Sequence, residues 1–167
     1  SRIYAGSFKN GRMVYGRLAP GEENTGKIVS KVRDKAKQIA KESGIKDIII
    51  DGPPGIGCSA ISSITGVDAV VVVTEPTLSG LHDLKRTLEI TSGFKLLTSV
   101  IINKYDINEE MSSKIEEYCA QKNIEVVGKY PFDPLVVEAM VNCQSITDFA
   151  PDAEISKLIK NSYLKFS

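Results

Sequence analysis

Asp51-Gly52-Pro53-Pro54-Gly55-Ile56-Gly57-Cys58 follows directly on the apolar run Ile48-Ile49-Ile50. A β-branched run that ends in a carboxylate and enters a glycine–proline turn reads as a buried parallel strand. Such a strand delivers its acid to the carboxyl edge of a sheet, where α/β proteins bind ligands. An acid there can stand near Mg²⁺, and the backbone N–H of a following glycine can donate to a terminal phosphate. A second cluster, Asn103-Lys104-Tyr105-Asp106, has the residue types of a base-reading loop. An asparagine amide can read a purine's N7 and exocyclic group, and a lysine stem can lie along the ring plane. A carboxylate at Asp106 could accept from two ring N–H donors, a pattern that guanine offers and adenine does not; Asp106 or Asn108 would equally serve as a helix cap.

These residues need a scaffold, and the chain spells one out. Ser1 to Leu18 reads as two short strands, Arg2–Ala5 and Met13–Arg17, around a Lys9-Asn10-Gly11 turn. A helix from about Thr25 to Glu42 keeps Ile28, Val29, Val32, Ala36, Ile39 and Ala40 at helical spacing and stops at Gly44. Strands and helices then alternate: strand Asp47–Asp51, a short helix after Gly57, strand Ala69–Thr74, helix Ser79–Thr91 and strand Ser99–Asn103. Helix Glu109–Lys122 follows with Asn108 as its cap, then strand Glu125–Tyr130 and a helix opened by Asp133 and Pro134. A last helix runs from near Pro151 to Tyr163. Apolar strands separated by amphipathic helices predict an α/β fold: three layers, α/β/α, around a mostly parallel sheet. Each strand of the alternating part ends in a polar loop, namely Asp51 and its turn, Thr74-Glu75-Pro76-Thr77, Asn103 to Asp106, and Pro131-Phe132-Asp133-Pro134. Four such loops at one sheet edge predict a ligand crevice.

Composition narrows the class. The 167 residues suit a single domain, 1–167; 42% are apolar and 25% charged, the balance of a water-soluble globular protein. Lys plus Arg and Asp plus Glu stand at 21 each, so no bulk charge points to nucleic acid or a membrane surface. The longest apolar run, Ala69 to Val73, is too short to span a bilayer, and no charged-then-apolar leader opens the chain, so a cytoplasmic protein is expected. Cys58, Cys119 and Cys143 are widely spaced, with no C-x-x-C pair from which to build a zinc or iron–sulfur site.

Gly21-Glu22-Glu23-Asn24-Thr25-Gly26-Lys27-Ile28 almost spells a phosphate-binding loop. Ile28 replaces the hydroxyl that would ligate Mg²⁺, two glutamates would face the polyphosphate, and Pro20 rather than an apolar strand leads in. This stretch reads instead as a helix N-terminus. No other glycine-rich loop with a lysine exists in the chain, so the phosphate-gripping part is missing.

Taken together, Asp51 to Cys58, Thr74-Glu-Pro-Thr-Leu-Ser-Gly-Leu-His-Asp-Leu-Lys-Arg86 and Asn103-Lys-Tyr-Asp-Ile-Asn108 resemble the MinD/ParA superfamily of P-loop ATPases. The resemblance is closest to the branch with an inserted ferredoxin domain, and Gly21 to Lys27 matches a stretch typical of that branch. It covers nearly the whole chain and implies a Rossmann-like P-loop NTPase fold. Members open with a K-G-G-x-G-K-T loop, then carry two C-x-x-C-x-x-C-x-x-x-C-P runs for 4Fe-4S clusters. The resemblance therefore implies that this chain is the carboxyl-terminal part of a longer ATP hydrolase, inactive by itself.

Carried over by position, Asp51 would contact Mg²⁺ through water and Gly55 would face the γ-phosphate of ATP. Asn103 with Lys104 would read the base, and Pro131, Phe132 and Asp133 would pack beside it. Asp106 departs from the simple Asn-Arg/Lys pattern and favours GTP as an alternative. Glu75 and Asp83 read as the solvated start of a helix, with relay of nucleotide state to the second copy of an expected homodimer as the alternative. His82 reads as a structural helix residue. Cys58 reads as a small residue packing at a helix start, with a redox-sensing or cluster-facing thiol as the alternative. A redox or iron–sulfur protein is the implied partner, and a nucleotide-free docking module is the reading from a different class.

Overall fold

A computed structural model describes residues 1–9, 11–19 and 25–165, which divide into two compact units, Ser1–Gly66 and Val67–Ser167. In the first unit, strands β1 (Arg2–Phe8) and β2 (Gly11–Arg17) form an antiparallel hairpin that pairs Arg2 with Arg17 and Phe8 with Gly11. Tyr4 and Tyr15 stack across it, ring centroids 5.2 Å apart, the favoured contact of directly opposed aromatic residues. Both strands outrun their expected ends, Ala5 and Met13, because the ladder continues to the turn. Of the expected turn Lys9-Asn10-Gly11, Asn10 lies outside the described residues, as do Gly21 to Asn24 of the near-phosphate loop.

Helix α1 (Thr25–Ser43) seats Ile28 and Val32 against Gly16, where a Cβ would meet the Ile28 side chain at 2.8 Å. Helix α2 (Cys58–Ile64) is tied to α1 by the Arg33 guanidinium, which donates to the Ser62 carbonyl.

The strand expected over Asp47–Asp51 does not form. Residues 45–53 are in neither helix nor ladder, and Ile48 and Ile49 are 41% and 82% exposed. β-branched residues prefer extended backbone, but a strand exists only when a neighbour takes up its N–H and C=O groups. Among the described residues of this unit the only ladder is the hairpin's own.

The second unit is a parallel α/β layer system. Strands β3 (Ala69–Thr74), β4 (Leu97–Asn103) and β5 (Glu125–Tyr130) lie side by side in chain order. Helix α3 (Leu78–Gly93) crosses from β3 to β4, and α4 (Glu109–Gln121) crosses from β4 to β5. Leu84 and Leu88 of α3 meet Met111, Ile115 and Cys119 of α4 over Val100 and Ile102 of β4, forming the main core. Both crossover helices thus cover one face, as right-handed connections to successive strands require. Ile101 points to the opposite face and is also buried. There α7 (Glu154–Tyr163) packs on β5, Ser162 Oγ donating to the Val127 carbonyl at 3.1 Å. Short helices α5 (Pro134–Val141) and α6 (Ile146–Phe149) connect β5 to α7. The sequence pattern did not predict α6, which is a single turn capped by Ser145. The last helix starts at Glu154 rather than near Pro151.

One irregularity interrupts the sheet. Val100 pairs with Val126 but Ile101 pairs with Gly128, so Val127 is an extra residue in β5. No helix among the described residues is long and apolar enough to cross a membrane.

Burial in this core pushes the Cys119 thiol up to about 11, with the Glu116 carboxylate adding to the effect. A raised folded-state value favours the fold fully below the unfolded thiol's range, so that contribution is expected to fall away between about pH 9 and 11. Cys58 and Cys143 are exposed. Iodoacetamide at pH 8 should therefore modify those two in the folded protein and reach Cys119 only in denaturant, as read by intact mass. Labelling of Cys119 at the same rate as the other two would contradict this packing.

Candidate functional site

The carboxyl ends of β3, β4 and β5 gather Glu75, Asn103, Lys104, Asp106, Pro131, Phe132 and Asp133 in the second unit. Each loop is shaped by local rules before it can present anything. After β3, Thr77 caps α3 by accepting the Gly80 N–H at 2.9 Å, and buried Thr74 donates from Oγ1 to the Gly80 carbonyl at 3.1 Å. After β4, Lys104 takes a left-handed backbone (φ 53°), turning the chain into a 3₁₀ turn at Tyr105–Ile107. Asn108 then caps α4, its side chain accepting the Met111 N–H at 3.0 Å, as its residue type predicts. After β5, Asp133 accepts the Leu135 N–H at 2.9 Å and Pro134 occupies the first turn of α5.

The loops are laced to one another. Glu75 Oε1 accepts from Lys104 Nζ at 2.8 Å, and Asn103 Nδ2 lies 3.5 Å from the same oxygen. Asp106 Oδ1 accepts the Phe132 N–H at 2.7 Å, a short bond to a charged acceptor that ties the β4 loop to the β5 loop. One oxygen of the carboxylate considered as a guanine reader is therefore engaged within the protein. Phe132 is 48% exposed beside Pro131 and Asp133, an aromatic residue of the kind on which a base can stack. Lys129 of β5 pairs with Glu116 of α4 at 2.9 Å and lies over the Tyr105 ring, 5.0 Å from its centroid, bracing the 3₁₀ turn from below. The ties made by Glu75 and Asp106 had no local sequence signal. The Glu75 tie follows from register: Thr74 pairs with Ile102, so the next residues, Glu75 and Asn103, leave adjacent strands side by side.

Asp51 and Gly55 belong to the first unit. Gly55 has φ 86°, a conformation that glycine adopts at little cost. A Cβ on Gly52 would lie 2.8 Å from Ser63 Oγ, so the turn runs close to α2. Asp51 is exposed, and a single exposed carboxylate suits contact with Mg²⁺ through its hydration water. Among the described residues no group of three or more His, Cys, Asp or Glu side chains could hold a metal ion. His82 and Asp83 are exposed on α3, His82 Nδ1 standing 3.4 Å from Asp83 Oδ1. Cys58 is the first residue of α2.

No protein-family model matches the chain. Among solved structures it is similar to the septum site-determining protein MinD of Pyrococcus horikoshii, complexed with Mg-ADP, at 21% identity and TM-score 0.76. That match covers 99% of this chain and 67% of the other. The cell division ATPase MinD of Pyrococcus furiosus aligns at 18% identity and TM-score 0.74, over 99% and 70% of the two chains. The chain has the MinD-type P-loop NTPase fold. A ParA family ATPase of Chlorobium tepidum shares that MinD-like architecture at 24% identity and TM-score 0.66, over 83% of this chain and 57% of its own.

Two curated relatives come from Methanocaldococcus jannaschii. An uncharacterized protein is 31% identical over 163 residues, 98% of this chain and 53% of its own length. An uncharacterized ATP-binding protein is 26% identical over 117 residues, 69% of this chain and 44% of its own. The chain spans about half the length of the curated relatives it matches.

Proposed function

We propose that this MinD-like chain is the base-recognising and Mg²⁺-facing part of an ATPase that uses ATP binding and hydrolysis to drive a conformational or partner switch. The observation that carries this reading is the laced rim at the sheet's carboxyl edge: Asn103 beside Glu75 and Lys104, and Asp106 joined to Phe132. Asn103 supplies a donor and an acceptor to the base, and Pro131 and Phe132 supply the apolar side. Asp51 would hold Mg²⁺ through water, and the Gly55 N–H would donate to the γ-phosphate. Bound Mg²⁺ would neutralise charge developing on the transferred phosphoryl group. The phosphate-gripping loop comes, in this reading, from sequence outside the chain, and the working protein is a cytoplasmic homodimer. A link to iron–sulfur or redox chemistry belongs to the same reading and rests on the ferredoxin-insert resemblance.

The test is titration of a fluorescent ATP analogue, with Mg²⁺, into this chain and into a version extended upstream through its reading frame. The extended protein is expected to bind and hydrolyse ATP and this chain to bind weakly. Asn103→Ala should cost about five- to hundredfold in the affinity of the extended protein, the worth of a bidentate contact to adenine. Equal binding by Asn103→Ala and the parent would remove Asn103 from the site, and tight binding by this chain alone would refute the missing phosphate loop.

A further inference from the structure

We infer that Glu75 is a specificity-positioning residue, which fixes the orientation of the Asn103 amide so that the site accepts a 6-aminopurine and rejects a 6-oxopurine; this rests on the proposed nucleotide site. Lys104 Nζ holds Glu75 Oε1 at 2.8 Å, so the carboxylate is anchored rather than swinging freely from the end of β3. The same oxygen lies 3.5 Å from the Asn103 side-chain amide. At that separation the atom facing a carboxylate must be the NH₂ group, because an amide oxygen would set two negative oxygens against each other. The Asn103 carbonyl is consequently turned away from Glu75. What remains for a ligand is that carbonyl oxygen beside the second amide hydrogen, one acceptor and one donor. Adenine offers the complement, an exocyclic amine donor next to the N7 acceptor. Hypoxanthine and guanine place a carbonyl at position 6, where it would oppose the Asn103 oxygen.

Four neighbours keep this arrangement in place. Lys104, whose backbone is left-handed, reaches back toward β3 to hold Glu75. Asp106 fixes the far end of the same loop through Phe132. The Thr77 cap and the Thr74 hydroxyl fix the segment on which Glu75 rides. Glu75 thereby acts through Asn103, and its removal should change which base is accepted more than how stable the protein is.

ATP and ITP differ at position 6 of the purine and in the hydrogen that the 6-oxo base carries on N1, and they share the N7 edge that Asn103 would read, so their affinity ratio reads the proposed device. In the upstream-extended protein, Glu75→Gln leaves a neutral amide that can face Asn103 with either end and lets the asparagine turn over. The ATP-to-ITP preference is expected to fall about tenfold, with an unchanged thermal unfolding midpoint. In an Asn103→Ala background the same Glu75 substitution should have no effect on the ratio. A wild-type protein that binds ATP, with a ratio in Glu75→Gln within twofold of its own, would overturn the role of Glu75 and leave the nucleotide site standing. A folded wild-type protein that binds neither nucleotide would overturn both.

Discussion

Ile115→Ala is expected to destabilise the second unit by about 2–5 kcal/mol, the range for deleting a large aliphatic side chain from a rigid core. Ile115 is 0% exposed and sits at the middle of the cluster where α3 and α4 meet β4. Its neighbours come from three elements, Leu84 and Leu88, Val100 and Ile102, and Met111 and Cys119, so no single side chain can swing in to refill the space. The loss therefore includes a cavity as well as the transfer of the removed methylenes. Urea unfolding should show a lower midpoint at unchanged slope, which separates lost stability from a changed unfolded state. Ile107→Ala is the control, because Ile107 is largely exposed and should shift stability by less than about 0.5 kcal/mol. Equal midpoints for the two variants would contradict the packing described.

Gly80→Ala is expected to be the most disruptive change near the sheet edge. In an ordinary helix, alanine would gain about 1 kcal/mol over glycine. Here an added Cβ would lie 2.3 Å from the Glu75 carbonyl oxygen and 3.0 Å from the hydroxyls of Thr74 and Thr77. The nearest obstacle is backbone, which cannot rotate aside, so the start of α3 must separate from the β3 loop. A cost of about 1–3 kcal/mol follows, together with loss of the Thr77 cap and displacement of Glu75 from Lys104. Gly93 at the far end of the same helix has nothing within 4 Å of its would-be Cβ, so Gly93→Ala should be neutral or slightly stabilising. Thermal unfolding and ATP affinity of the two variants give the comparison. A Gly80→Ala protein at least as stable as its parent would show that α3 is not held so closely.

Much of this was legible from residue types. The alternation of apolar strands with amphipathic helices gave β3, α3, β4, α4 and β5 within a few residues, because each buries a stripe or face whose period shows in the chain. Asn108 as a cap and Asp133 followed by Pro134 were legible because capping is chemistry within one turn. Two kinds of feature were not. The run Ile48 to Ile50 has every local property of a strand, yet pairing is decided by a neighbour that local sequence does not encode. Asp106 looks the same in sequence as a base reader, a cap or a brace; its role as a brace shows only in its bond to a residue 26 positions away. Lys104 gave no warning of its left-handed backbone, since lysine is not a residue type that favours it.

The extra residue in β5 works as a change of phase between two half-strands that serve different neighbours. Up to Val126 the strand is in step with the hydrophobic face beneath α3 and α4. Without the bulge, Val127 would pair with Ile101, so Gly128 would fall opposite Ile102 and Lys129 opposite Asn103, each turned to the wrong side of the sheet. With it, Gly128 meets α7, where a Cβ would come within 2.5 Å of Ser162 Oγ, while Lys129 reaches Glu116 on α4. The strand's last residues and the Pro131–Asp133 loop therefore take their direction from the bulged register, in which Val127 is left out of the pairing. Absorbing Val127 into regular pairing would re-aim that whole side of the rim, whereas deleting Val127 would leave Gly128 opposite Ile101 and the rim's direction unchanged.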